Sequence, residues 1–151
     1  MANTQAMCTS FKSEVLTALH NFGVTVTRAG TGADTFKAAL FLTTATINAA
    51  TTAYSVTGEV SGTNYVAGGV TVTNTVVPTT SGTTAYWTPS ASVTYTNVTL
   101  STSFDCVLIY NSTQSNRAVA AYTFGSQTIT AGTFTLLMPT NAAGTALINF
   151  A

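Results

Sequence analysis

The side chains in this chain that could do chemistry are few: one histidine (His20), four carboxylates (Glu14, Asp34, Glu59 and Asp105) and two thiols (Cys8 and Cys106). General acid–base or nucleophilic catalysis needs titratable groups that converge in one pocket, with a base within reach of a nucleophile. Paired carboxylates would suit glycoside hydrolysis. Here Glu14 belongs near the start of a helix, Asp34 precedes a strand, Glu59 lies in a polar connection and Asp105 opens the stretch FDCVLIY. Their spacing gives no reason for any two to meet. A Ser–His–Asp arrangement would have to use His20, and no GxSxG elbow is present. His20 is expected to cap the last carbonyls of the helix or to lie at the surface. GVTVTRAGTG matches neither GxGxxG nor the Walker pattern. The two cysteines lack metal-ligand spacing and are expected as free or buried thiols, a disulfide or intermolecular link being the alternative. No catalytic residue, cofactor or metal is expected. The sequons at Asn97 and Asn111 are read as chance in a chain so rich in threonine.

Composition narrows the function classes further. Of 151 residues, 5% are charged and 46% hydrophobic, against roughly 25% charged in an ordinary soluble domain. Lys12, Arg28, Lys37 and Arg117 are scattered and balanced by the four acids, so neither a phosphate-binding surface for nucleic acid nor an attraction to anionic membranes is expected. No apolar run approaches a membrane span, and no secretory leader is visible in the first residues. Synthesis in the cytoplasm is the expectation.

The elements that must position these residues are mostly strands. Threonine is about a fifth of the chain, and β-branched residues suit a pleated, half-buried surface. The exception is TSFKSEVLTALHNFG. It has Thr9 or Ser10 as N-cap, Phe11, Val15, Leu19 and Phe22 on one face, and Gly23 as a stop, which predicts a helix over residues 10–22. A short alternating stretch in VTVTRAG and a strand from about Thr35 to Thr43 follow. FKAALFL within that strand is apolar enough to be buried on both faces. Residues 45–69 form a long polar connection, expected to be functional or to hide a short element.

VTVTNTVV, TTAYWTP, SVTYTNVTL, FDCVLIYNS, RAVAAYTFG and TALINFA read as further short strands, with TQSN as a hairpin turn and Ala131–Gly132 as a turn or bulge in QTITAGTFTLLMP. In TTAYWTP, Tyr86 and Trp87 must face opposite sides. Eight or nine short strands with regular turn signals predict a mainly β, antiparallel β-sandwich or jelly-roll-like domain with one N-terminal α-helix. Residues 1–151 are expected as one domain, with residues 1–9 a possible flexible arm, 10–22 the helix and 24–151 the β-rich body. Phe36, Leu40, Leu42, Val107, Ile109, Val119, Phe124, Phe134 and Leu136 are the expected core.

The run DTFKAALFLTTATINAATTAYSVTGEVSGTNYVAGGVTVTN, with LIYN, NRAVAAYTFG and TITAGTFTLLMPT, resembles a family of small tailed-bacteriophage virion proteins. The likeness covers about residues 10–150, with GEVSGTNYVAGG its most specific part. The resemblance implies a virion component and carries over no functional residue; that the protein is not an enzyme is expected from its inventory of reactive side chains.

A surface so poor in charge suits burial against identical or partner subunits. The expected function is that of a capsid decoration or cement protein bound to the major capsid protein and to itself, a trimer, on the capsid surface of the virion. The alternatives are a neck, tail or fibre-associated protein, or a host-surface or carbohydrate-binding module. Tyr54, Glu59, Asn64, Tyr65, Tyr86 and Trp87 are the candidate interface residues. Tyr54, Tyr65, Tyr86, Trp87 and Tyr95 are the candidate sugar-stacking rings.

Overall fold

Two strands of unusual length organise the chain. The computed structural model describes residues 2–16, 18–23 and 32–151. Its elements in order are β1 (Ala6–Met7), α1 (Thr9–Leu16), β2 (Phe36–Leu42), β3 (Val70–Thr71), β4 (Thr79–Ser81), β5 (Thr84–Trp87), β6 (Val93–Asn111), β7 (Arg117–Leu136) and β8 (Ile148–Phe150). They form two antiparallel sheets, β1-β7-β6-β2-β3 and β4-β5-β8, with one short N-terminal helix, as a β-sandwich requires. Strands β6 and β7 contain 19 and 20 residues. SVTYTNVTL and FDCVLIYNS, expected as separate strands, are one, and so are RAVAAYTFG and QTITAGTFTLLMP. The short alternating stretch expected in residues 24–30 lies outside the described residues.

The β6–β7 hairpin folds back on itself. If β6 were straight, Tyr95 would lie about 46 Å from Ile109. Instead the Tyr95 hydroxyl donates to the carbonyl of Ala38 at 2.7 Å, and Ala38 is the cross-strand partner of Ile109. The bend falls where the register slips twice. Between Leu100↔Ile129 and Phe104↔Gln127 the surplus residues are on β6; between Phe104↔Gln127 and Cys106↔Thr123 they are on β7. Such bulges kink a ladder and sharpen its twist. Inside the bend, Phe104, Phe124 and Phe134 pack with ring centroids 5.3–5.9 Å apart. Of the expected core, Phe36, Leu40, Val107, Ile109 and Val119 are buried, while Leu42, Phe124, Phe134 and Leu136 are half-buried against them. The proximal half of the hairpin thus pairs beside β2, and its distal half lies across it.

The helix is shorter than its apolar spacing suggests. It ends at Leu16 because Ala18 takes a left-handed backbone, φ 53°. The Ala18 N–H bonds to Val15 O and the Leu19 N–H to Glu14 O, the paired contacts of a Schellman stop, with alanine where glycine is usual. Leu19 and Phe22 therefore lie beyond the helix. Phe22 stacks on Phe36 at 4.5 Å and meets Trp87 at 4.7 Å, joining the β5 edge to the main sheet.

The expected flexible arm is not free. Ala6 and Met7 pair with Ala121 and Ala120. The Asn3 amide donates to Leu42 O and to Asp105 Oδ1 and accepts from the Ile47 N–H. Uncharged polar residues at a chain start need no arm function when they can dock so.

The long connection of residues 45–69 seals sheet edges. On the free side of β2, Val60 N–H donates to Leu40 O, Leu42 N–H donates to Gly58 O, and Leu40 N–H donates to the Tyr65 hydroxyl. Thr63 pairs with Thr99, covering the inner edge of the distal half of β6. Close approach needs glycine at two points. A Cβ on Gly62 would stand 2.0 Å from Thr99 O, and one on Gly69, at φ 70°, would stand 1.7 Å from Ala38 O. Among the described residues no helix is long and apolar enough to cross a membrane.

Gly62→Ala should cost about 2–3 kcal/mol, because the opposing atom is backbone and cannot rotate away. Gly125→Ala, where a Cβ meets nothing within 4 Å, should change stability by less than about 0.5 kcal/mol. Urea midpoints of the two variants against the parent check the contrast.

Candidate functional site

The fold gathers several of the titratable groups into two clusters around buried carboxylates, neither of them foreseen from spacing. The first lies where α1, the turn before β2 and the β6–β7 turn meet. His20 Nε2 is 2.8 Å from Glu14 Oε2, and the Arg117 guanidinium donates to Glu14 Oε1. Asn111 Nδ2 reaches both His20 Nδ1 (3.1 Å) and Asp34 Oδ2 (2.7 Å). The same Asp34 accepts from the Asn21 N–H and from Gln114 Nε2. Glu14 and Asp34, expected apart, share one network.

This network determines the histidine tautomer. Asn111 Oδ1 accepts from the backbone N–H groups of Thr113 and Gln114, so its NH₂ must face His20 and Asp34. His20 Nδ1 is then an acceptor, and Nε2 carries the proton donated to Glu14. The ring has no solvent exposure, correcting the expected surface or capping role. Burial lowers its pKa, against the upward pull of Glu14 and Asp34. Asn111 is also fully buried, which removes that sequon as a glycosylation acceptor.

The second cluster surrounds Glu59. Its Oε2 accepts from the Tyr54 hydroxyl at 2.6 Å, and its Oε1 accepts from the Tyr65 hydroxyl at 2.7 Å and the Gly68 N–H at 2.8 Å. Tyr110 stacks on Tyr54 at 4.6 Å and donates to Gly68 O, while Tyr95 stacks on Tyr65 at 5.9 Å. Desolvation first, and the neighbouring Glu59, raise the pKa of all four phenols, that of Tyr110 to about 12. GEVSGTNYVAGG is therefore an internally braced loop, a scaffold with no reacting group presented outward.

Several candidate interface residues move inside. Glu59 is 8% exposed and Trp87 2%. Trp87 donates its indole N–H to Val76 O, and Tyr86, on the opposite side as alternation requires, is half-buried. Tyr54 and Tyr65 are half-buried with their hydroxyls engaged. Asn64 is exposed but anchors Asn97 O through its amide. With Trp87 and Tyr95 buried, the five candidate rings form no common exposed platform. Among exposed Ser55, Thr57, Ser61, Thr63 and Asn64 the loop also presents two large apolar side chains: Val56 and Val66 are 65% and 71% exposed. Sequence reasoning passed over both, since an isolated valine in a polar stretch carries no periodic signal.

Cys8 and Cys106 are free and buried, the first of the two alternatives, and burial pushes their thiols up to about 11 and about 12. Among the described residues no three His, Cys, Asp or Glu side chains could hold a metal ion together. Among the described residues, two surface clefts are lined without the clustered acids or His20. One of about 360 Å³ runs beside Tyr122, Leu136, Leu137 and Leu147, and a small apolar one lies between Phe22, Trp87 and Phe150. The arrangement can brace loops and hold a turn. No protein-family model, curated protein or solved structure matches the chain.

Glu59→Ala should destabilise by about 3 kcal/mol or more, because two hydroxyls and one N–H lose their acceptor inside the protein; chemical denaturation measures it. His20 makes a second prediction. Its folded pKa lies below its unfolded value, so the unfolded chain binds the proton more readily. The stability held by the neutral ring is complete above the unfolded pKa and falls as pH drops below it. No other side chain has its ordinary pKa there. Urea midpoints should fall from about pH 7 to about pH 5.5 in the parent and stay level in His20→Gln. Equal slopes would remove His20 as the cause.

Proposed function

We propose that this protein is a non-enzymatic structural component of a bacteriophage virion, a decoration or cement protein that sits on the capsid and binds the major capsid protein lattice. The observation that carries the reading is a contrast within the 53–67 loop. Glu59 and its tyrosines brace the loop from inside, while Val56 and Val66 are exposed, with no charged residue in the loop except that buried carboxylate. A preorganised apolar projection loses little conformational entropy on docking. The resemblance of GEVSGTNYVAGG to virion proteins, and a chain with only 5% charged residues, support the same reading.

Attachment then rests on apolar burial and backbone hydrogen bonding. Engagement of neighbouring capsid subunits by several copies would make release slow through avidity. Nucleic acid, membrane and cofactor have no part in this reading, and the self-associated form is part of it.

Occupancy on expanded heads should be nearly the same at low and high ionic strength, since exposed charge contributes little to the contact. Val66→Asp combined with Val56→Asp should reduce occupancy at least about tenfold without lowering the melting temperature, because both positions are exposed in the free protein. Quantitative gels of purified particles, with cryo-electron microscopy to locate the density, read both. Loss of the parent protein in high salt, or density confined to the tail axis, would overturn the decoration role.

A further inference from the structure

Among its three longest strands, β2, β6 and β7, the fold covers most edges and leaves a long stretch of β7 without a neighbour. The free side of β2 is covered by residues 58–72 and by two tyrosine hydroxyls, and the inner edge of distal β6 is covered by Thr63. The outer edge of β7 is covered at its start, by Ala53 opposite Arg117 and by β1 opposite Ala120 and Ala121. Beyond Ala121, among the described residues, no other element pairs with that edge; within residues 123–136 the Gly125 carbonyl accepts from Gln127 Nε2 and the Ala131 N–H donates to Thr99 Oγ1, and no backbone partner covers the edge. Soluble proteins usually guard such an edge with lysine, proline or an inward charge. Here no Asp, Glu, Lys or Arg occurs from Ala118 to Ala151, and no proline occurs between Ala118 and Pro139.

We propose that the terminal part of this edge, Ala131 to Leu137, pairs antiparallel with the same segment of a second copy about a twofold axis centred on Phe134. That register respects the faces of the strand. It sets Thr133 opposite Thr135 on the outer face, where both are exposed. It sets Gly132 opposite Leu136 and the two Phe134 side chains together on the apolar face, where all are half-buried. It also brings Ala131 over Leu137, which is 79% exposed and the most exposed large apolar side chain described. A bulge at Ala131, φ 45°, ends the regular stretch, so the pairing is short and specific and does not propagate. An uncharged strand selects an uncharged partner, and this chain supplies one of matching pattern. The inference deepens the self-association part of the proposed function, and it is tested on the isolated chain, away from any capsid.

Sedimentation velocity of the full chain from micromolar to submillimolar concentration should show a monomer–dimer equilibrium. Amides of residues 131–137 should gain protection from hydrogen exchange as the dimer forms. Thr133→Lys with Thr135→Lys places like charges opposite each other twice and should weaken the dimer at least about tenfold. Thr133→Lys with Thr135→Glu makes the opposing pairs complementary and should restore it to within about threefold of the parent. Both pairs lie on the exposed face, and equal melting temperatures control for folding. A monomer at every concentration, or a dimer equally tight in all three proteins, would overturn the edge pairing. Capsid occupancy of the monomeric chain would leave the decoration role standing.

Discussion

A carboxylate buried among hydroxyls holds this structure together. Glu59 lies in a segment with no regular secondary structure, and a buried carboxylate is tolerated only where donors surround it. Tyr54 and Gly68 come from either side of it in the chain, and Tyr65 from the turn between. Their convergence closes residues 54–68 into a loop. The hydroxyl that Tyr65 donates to Glu59 also accepts from the Leu40 N–H, so the same atom that braces the loop seals the edge of β2. Without that brace the loop loses its shape, the β2 edge loses its cover, and Thr63 and Asn64 lose their hold on distal β6.

The fold-back of the β6–β7 hairpin depends on the same region. Tyr95 reaches Ala38 O only when the distal half of the hairpin lies across β2, and its ring is held against Tyr65. The bulges permit the bend, and Phe104, Phe124 and Phe134 fill its inside. Bending a single long hairpin makes a second layer with one connection where two short hairpins would need more. The chain therefore forms a sandwich from a small number of long-range pairings.

How much of this was legible follows from which signals are local. Strand β2 was legible because FKAALFL is apolar on both faces, and the β6–β7 turn because TQSN breaks two alternating runs. The bulge at Ala131 was legible from the Ala-Gly pair. The merging of strands was not, because a bulge interrupts alternation just as a turn does: Ser101 to Ser103 read as a gap, yet β6 runs through them. The early helix stop was hidden because alanine seldom takes the left-handed stop position that Ala18 occupies. Glu59 and His20 were misplaced for a common reason. Both are polar and were assigned to the surface, whereas each is buried with partners 5 to 91 positions away, contacts that no windowed pattern reports.

The scarcity of charge has a structural consequence. Each of the four carboxylates bonds to another part of the chain: Glu14 to His20 and Arg117, Asp34 to Asn111, Glu59 to the tyrosines and Asp105 to Asn3. Charge spent on internal order is not available to keep molecules apart, and with a net formal charge of zero the surface has no long-range repulsion to offer. Protection against unwanted strand pairing must then come from covering the edges themselves. The chain does this with backbone contacts, bulges and tyrosine hydroxyls along β2 and β6. An edge left uncovered in such a protein cannot be held apart by charge.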